Sequence, residues 1–414
     1  MWMRLAMAVA IGATFIGCHD DKPHARTAST AQLAKAANAP DQPQQVNSEK
    51  LELVAGITGP MPTGIAVSKE GRIFVNFPRW GDRVNYSVAE IKNGNPVAFP
   101  DGDINQFAEG NDPARHLVCV QSVVIDPQDR LWILDTGSIN FTPVKPGAAK
   151  LICVDLTKNQ VIKTIVFKPE AALPTSYLND VRFDLDNQRA YITDSSDSGP
   201  NGLVVVDLTS GESWRRLNDH PSTRATSNFA PIVEGQPLMA REPGKPAYLK
   251  MGSDGIALSG DKKTIFYCPL ISRHLYSVNA EVLRNRNKSD ADVAATVKDL
   301  GDRGYCSDGL ETAKDGRIFL TDYEHNAIHV RSPDGNDDHV FVSDPRMIWP
   351  DSMSATSGDG FLYFTANQLN RQKKFHEGQD LRQQPYAIFR IPAGSTSHTE
   401  TASAAPAADR WSNP

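Results

Sequence analysis

Six times along the chain, a short apolar segment runs through a polar turn into a second apolar segment carrying an aromatic residue. Ile65-Ala66-Val67 leads in this way to Ile73-Phe74-Val75, Val123-Val124-Ile125 to Leu131-Trp132-Ile133, and Val181-Arg182-Phe183 to Ala190-Tyr191-Ile192. Ile256-Ala257-Leu258 leads to Ile265-Phe266-Tyr267, Leu310-Glu311-Thr312 to Ile318-Phe319-Leu320, and Met353-Ser354-Ala355 to Leu362-Tyr363-Phe364. Each half has the length and the β-branched or aromatic content of a strand, and each turn is built from Gly, Asp, Asn, Pro or Lys, so each unit predicts a hairpin. Successive aromatics lie 44 to 75 residues apart, the spacing of one four-stranded unit plus variable loops. Further strands fill the gaps, among them Lys150 to Leu156 and Gly202 to Leu208. No helical period alternates with the strands, which argues against βαβ architecture. A short helix is expected from Ala280 to Arg286. A lone four-stranded sheet would leave edges and faces uncovered, whereas packing such sheets around an axis covers them. The expected fold is all-β: a six-bladed β-propeller of four-stranded antiparallel blades around a central channel.

Composition refines this picture at the ends of the chain. Residues 1–18 carry one positive charge, an apolar run from Leu5 to Ile16, and then Gly17-Cys18. That is the pattern of a signal peptide with a lipobox-like end, in which Cys18 is lipidated. A plain cleavable signal is the other reading. Residues 19–48 are rich in Ala, Gln, Pro, Thr and Lys, a tether composition, and 394–414 read as a tail of the same kind. The propeller is expected over 49–393. The formal net charge is −6 with scattered Lys and Arg, so nothing suggests a nucleic-acid partner. Membrane contact is expected only through the N-terminal lipid anchor. Cys119, Cys153, Cys268 and Cys306 form no zinc-type cluster, and they read either as buried small hydrophobes or as containing one disulfide.

Aligning the six units singles out the position two residues before each first strand segment: Thr63, Gln121, Asn179, Asp254, Asp308 and Asp351. All are polar, and three are carboxylates. Equivalent positions on inner strands should form a ring at one mouth of the channel. One reading makes them strand-start caps in a wet channel. The other makes Thr63, Gln121, Asn179 and Asp351 ligand-binding and Asp254 and Asp308 catalytic, with a carboxylate of raised pKa as proton shuttle. Three converging carboxylates need a counter-charge, and calcium at Asn179, Asp254 and Asp308 is the cation that suits oxygen donors. Arg303 and Tyr305, near Asp308, are expected at its mouth. Asp135-Thr136-Gly137 matches the aspartic-protease tripeptide but has no second copy, so a structural role is expected. Trp80, Trp132 and Trp349 read as blade core, and His116, His220, His274 and His325 as loop or packing residues.

Several stretches resemble the yellow / major royal jelly protein family. They are Phe77 to Arg83 with Ser87 to Ile91, Gln121 to Asp126 running into Arg130 to Gly137, and Ser213 to Leu217 with His220-Pro221. Asp302 to Gly304, Asn326 to Ile328, and Trp349 to Ser352 leading to Ala366 to Leu369 continue the likeness through the folded body. The Ser-Asp-Gly turns at Asp254 and Asp308 are similar to those of gluconolactonase-like propellers. The resemblance implies a small-molecule site and, in some members, dopachrome conversion. Three expectations follow: an enzyme of tautomerase or lactonase type, a non-catalytic small-ligand binder of the cell envelope, or a scaffold presenting the insertion between Asn218 and Lys250.

Overall fold

The computed structural model describes residues 45–241 and 245–394. They form a six-bladed β-propeller, each blade a four-stranded antiparallel sheet. Blades 1 to 5 are continuous in sequence, their inner strands being Ile65–Val67, Val120–Ile125, Leu178–Asp184, Ser253–Leu258 and Leu310–Thr312. Blade 6 begins with Pro350–Ser354 and takes its outermost strand, Glu52–Ile57, from the other end of the folded body. That strand pairs antiparallel with Tyr386–Pro392, setting Glu52 opposite Arg390 and Ile57 opposite Tyr386. The ring is thus closed by main-chain hydrogen bonds between its two ends, which leaves no blade short of a strand.

The six expected hairpins are the inner two strands of the six blades, with Ile65 opposite Val75 and Val123 opposite Ile133. Their aromatics fill the spaces between neighbouring blades, where successive apolar clusters join 1 to 2, 2 to 3, and so on around the ring. Trp132 of blade 2, for example, stacks on Phe183 of blade 3 with ring centroids 4.8 Å apart, and its indole N–H donates to Asp126 at 2.7 Å. The expected helix spans Ala280–Arg284, capped by the Asn279 side chain. All four cysteines among the described residues are buried free thiols, so the hydrophobe reading holds and none is bridged.

Two features fix the inner strands. Gly255 and Gly309 follow ring carboxylates, and a Cβ on either would come 2.4 Å from the carbonyl oxygen of the next blade, that of Asp308 and of Asp351 respectively. Only glycine lets neighbouring inner strands approach this closely. Second, in blades 2 and 3 the carboxylate ending the second strand holds the chain entering the blade. Asp135 accepts from the backbone N–H of Val118 and Cys119 at 2.7 and 2.9 Å, and the Lys150 ammonium reaches it at 2.7 Å, both side chains fully buried. Asp194 does the same in blade 3 for the N–H of Tyr177, paired with Arg215. The aspartic-protease-like tripeptide is therefore a structural brace.

Candidate functional site

Each ring residue lies within two residues of the start of its inner strand, and hydrogen bonds connect several of them from blade to blade. The Thr63 hydroxyl donates to the Gln121 carbonyl at 3.2 Å and accepts from the Asn76 amide at 2.8 Å. The Gln121 amide donates to Asn179 Oδ1 at 3.4 Å, and the Asn179 amide donates to Asp254 Oδ2 at 2.7 Å. Asp254 and Asp308 are neighbours in this row, and each bears on the other's ionisation. Asp351 accepts from the Asn367 amide at 2.5 Å, and that amide also donates to the Pro62 carbonyl of the segment entering blade 1. The result is a polar belt whose hydrogen bonds run from Thr63 of blade 1 to Asp254 of blade 4 and from blade 6 back to blade 1, with Asp308 of blade 5 buried between them.

Two buried carboxylates side by side resist ionising together. Burial pushes Asp254 well above the ordinary carboxylate range, and the charge of Asp308 adds to it. Burial likewise raises Asp308, to about 6, against the opposing hydrogen bonds from Trp349 and Asp254. Burial and then the charge of Asp308 raise Asp351 as well. The Asp254, Asp308 and Asp351 residues are 2%, 7% and 3% exposed, so water does little to screen these effects.

A second charged layer lies just below the belt. Arg182, on the inner strand of blade 3, pairs with Asp180 at 2.8 Å and reaches past blade 4 to Glu311 of blade 5 at 3.3 Å. Burial works against its charge, but Asp180 and Glu311 outweigh it and raise its pKa. The corresponding position in blade 4 is Ala257, small enough to let the guanidinium pass. Sequence reasoning missed this layer, although an Arg and a Glu standing where the other units carry Ala, Val or Ser was the signal for it.

Above the belt, one apolar cluster gathers loops of blades 4, 5, 6 and 1, including Leu270, Tyr323, Trp349 and Met61, with Val233 and Leu238 of the long insertion. The insertion is tied down by ion pairing of Glu234 with Arg371 and by the Ile232 N–H donating to Glu324 at 2.8 Å. Beside it, the Lys374 ammonium lies 5.8, 5.1 and 4.9 Å from the ring centroids of Trp80, Phe141 and Phe375. Trp80 donates to the Tyr177 hydroxyl, which donates to Gln121 at 3.0 Å, so this aromatic group is joined to the belt. A cavity of about 630 Å³ opens between Asp197–Asn201 and the insertion near Tyr248, and one of about 410 Å³ lies near Leu238 and Phe375. Neither is lined by a belt residue.

Arg303 and Tyr305 diverge. Arg303 donates to the Ser307 hydroxyl at 2.8 Å, next to Asp308, and lies 4.7 Å over the Tyr305 ring. Tyr305 itself stacks on His329 at 3.8 Å, with its hydroxyl 3.3 Å from Asp338, in the interior of the blade 4–5 region. Trp349 proves to be both core and site. It is fully buried, and its indole N–H donates to Asp308 Oδ2 at 2.7 Å.

Oxygen donors such as Asn179, Asp254 and Asp308 suit calcium chemically, and they would supply its ligands with the Asn179 carbonyl turned toward the two carboxylates. Here Asn179 turns its amide N–H toward Asp254 Oδ2 at 2.7 Å. Among the described residues, no three His, Cys, Asp or Glu side chains form a group that could hold a metal. No step below is routed through one.

The sequence profile described as Major royal jelly protein matches residues 118–391. The yellow-related salivary protein LJM17 of Lutzomyia longipalpis is 28% identical over 279 residues, 62% of this chain and 63% of that protein. Major royal jelly protein 1 of Apis mellifera is 26% identical over 233 residues, covering 54% of this chain and 51% of its own length. Dopaminechrome tautomerase of Drosophila melanogaster is 25% identical over 292 residues, 65% of this chain and 59% of that enzyme. The chain thus spans between half and two thirds of the length of these relatives. A solved propeller provisionally named a gluconolactonase superposes with a TM-score of 0.51 at 10% identity, covering 85% of this chain and 97% of that one. At that identity the likeness is one of fold alone.

Proposed function

Since this chain belongs to the major royal jelly protein family, we propose that its polar belt is a small-molecule site that tautomerises a quinonoid ring by proton transfer. The observation that carries this reading is the burial of Asp254 beside Asp308, two neighbouring carboxyls whose ionisation burial opposes, which favours one shared proton. Such a pair offers an acid and a base side by side. The charged member, Asp308, takes a proton from a ring-adjacent carbon while Asp254 gives its proton to the quinonoid oxygen. The proton gained by Asp308 then crosses the hydrogen bond to Asp254, which restores the pair. Substrate and product have the same atoms, so no oxidant or reductant is required. The apolar roof keeps bulk water from both carboxylates, and the similarity to a dopaminechrome tautomerase supports that substrate class.

The test is turnover of dopaminechrome by the purified protein. Asp254→Asn and Asp308→Asn are each expected to lower kcat by ~100-fold or more, and retention of the rate in either variant would refute the mechanism. Millimolar calcium is expected to leave Tm unchanged. A rise in Tm that disappears in Asp254→Asn would instead make the pair a metal site.

A second reading, a binder without catalysis, is favoured by the burial of both carboxylates beneath the roof. It requires saturable binding of an aromatic ligand with no product formed. Export belongs to the same proposal. It rests on the pattern of residues 1–18, which lie outside the described residues, and no described helix is long and apolar enough to cross a membrane. Labelled palmitate is expected to enter the protein expressed in a bacterial host and to be absent from Cys18→Ser. Incorporation in that variant would refute lipidation at Cys18.

A further inference from the structure

The long insertion carries a tight hairpin, in which Ile232–Val233 pairs with Gln236–Pro237 across Glu234 and Gly235. Both turn residues lie at positive φ, 50° and 73°, as a two-residue turn between paired strands requires. The turn delivers the Glu234 carboxylate to the connection between the second and third strands of blade 6. There it accepts from Arg371 Nε at 2.9 Å and from the Asn370 amide at 2.7 Å. Burial works against its charge, but Arg371 and the Asn370 amide outweigh it and hold Glu234 below the ordinary carboxylate range. A charged carboxylate only accepts hydrogen bonds, so the NH₂ end of the Asn370 amide must face Glu234 and its oxygen must face the other way. The Asn370 main-chain carbonyl is held in turn, accepting from His376 Nε2 at 3.0 Å. Asn370 is thus fixed at both ends.

Its side-chain oxygen, however, meets no donor among the described residues, although Asn370 is only 5% exposed. A buried acceptor left unmet is costly and rare in a folded protein. Asn370 lines the cavity of about 410 Å³, with Val233, Leu238 and Phe375 of the roof cluster and the exposed Leu381. That volume suits a small organic ligand, and these side chains give its body an apolar wall. The charges in the lining favour neither sign. Glu234 is matched by Arg371, and the remaining pair, Arg241 and Glu377, are opposite. We propose that this cavity binds a neutral molecule of one or two rings that donates an N–H or O–H to Asn370 Oδ1. No belt residue lines it, so the site is separate from the Asp254–Asp308 pair and shares with it only the roof.

Indole and indene make the test, because they share a shape and only indole carries an N–H. Each is titrated into the whole protein with ¹³C-labelled leucine methyls and followed by NMR, with Leu238→Ile and Leu381→Ile assigning the two signals at the cavity. Indole is expected to shift both signals and to bind about tenfold more tightly than indene, as one hydrogen bond to a buried acceptor implies. Asn370→Leu keeps the volume and removes the oxygen, and in that variant the preference for indole is expected to vanish while indene still binds. Equal affinities in the parent protein would mean that water satisfies Asn370, and they overturn the proposal. Shifts confined to other methyls, no shift from either probe, or a folded Asn370→Leu that still prefers indole overturn it too. If Asn370→Leu does not fold, the comparison of the two probes in the parent protein decides. Dopaminechrome turnover enters none of these outcomes, so the proposal stands or falls apart from the tautomerase reading.

Discussion

The burial of Asp254 and Asp308 bears on stability as well as on the proposed chemistry. A carboxyl group whose folded pKa is raised is favoured in its neutral form by the fold. Its contribution is therefore fully present below the unfolded value near 4 and is lost as pH climbs through the folded value. For Asp308 that window runs from the unfolded value to about 6. Asparagine at this position accepts from the Trp349 indole and donates to Asp254 without ever ionising. Asp308→Asn is accordingly expected to match the parent in stability near pH 4 and to exceed it by on the order of 2–3 kcal/mol at pH 7. Urea unfolding at a series of pH values checks this, and a difference that stays flat across the window would show that the pair is not held as described.

In blades 2 and 3, the element that fixes the chain entering the inner strand is the carboxylate at the end of the second strand. In blade 2 this brace depends on Lys150, whose ammonium is fully buried and bonds Asp135 together with the carbonyls of Pro113, His116 and Ala148. Lys150→Met fills the space but leaves the Asp135 charge without its partner, which should cost roughly 3–5 kcal/mol. A guanidinium unfolding midpoint equal to the parent's would refute the brace. These elements also show what a single chain of letters can disclose. The hairpins were legible because strand periodicity and turn chemistry are local, and the belt positions followed because repeats superpose. Trp349 was legible only as core, since nothing in its neighbours tells whether a buried indole points its N–H at a carboxylate from another blade. Tyr305 lies three residues from Asp308, yet its ring is claimed by His329, a partner that sequence spacing cannot reveal. Arg182 and Glu311 are 129 residues apart in the numbering, and only closure of the ring brings them together.

At the scale of the whole molecule, stability rests on the ring being shut. Glu52–Ile57 supplies main-chain hydrogen bonds to the last strand and places Ala55 and Ile57 in the cluster that joins blades 6 and 1. Removing residues through Ile57 would bare the Tyr386–Pro392 edge and open that cluster. The shortened protein is expected to lose its single cooperative thermal transition and to aggregate through the free edge. A truncated form that stays monomeric with an unchanged Tm would show that closure matters less than the packing of the other blades.

The same closure sets a timetable for the chain. Glu52 and Arg390, joined by both strand pairing and an ion pair, stand 338 positions apart. Bringing such distant segments together costs about 5 kcal/mol of chain entropy beyond a constant term, from the logarithmic dependence on loop length. On a ribosome, the first strand emerges long before its neighbour exists and waits unpaired through the synthesis of five blades. The ring can shut only after Tyr386–Pro392 has been made, so closure is the last step however early blades 1 to 5 take shape.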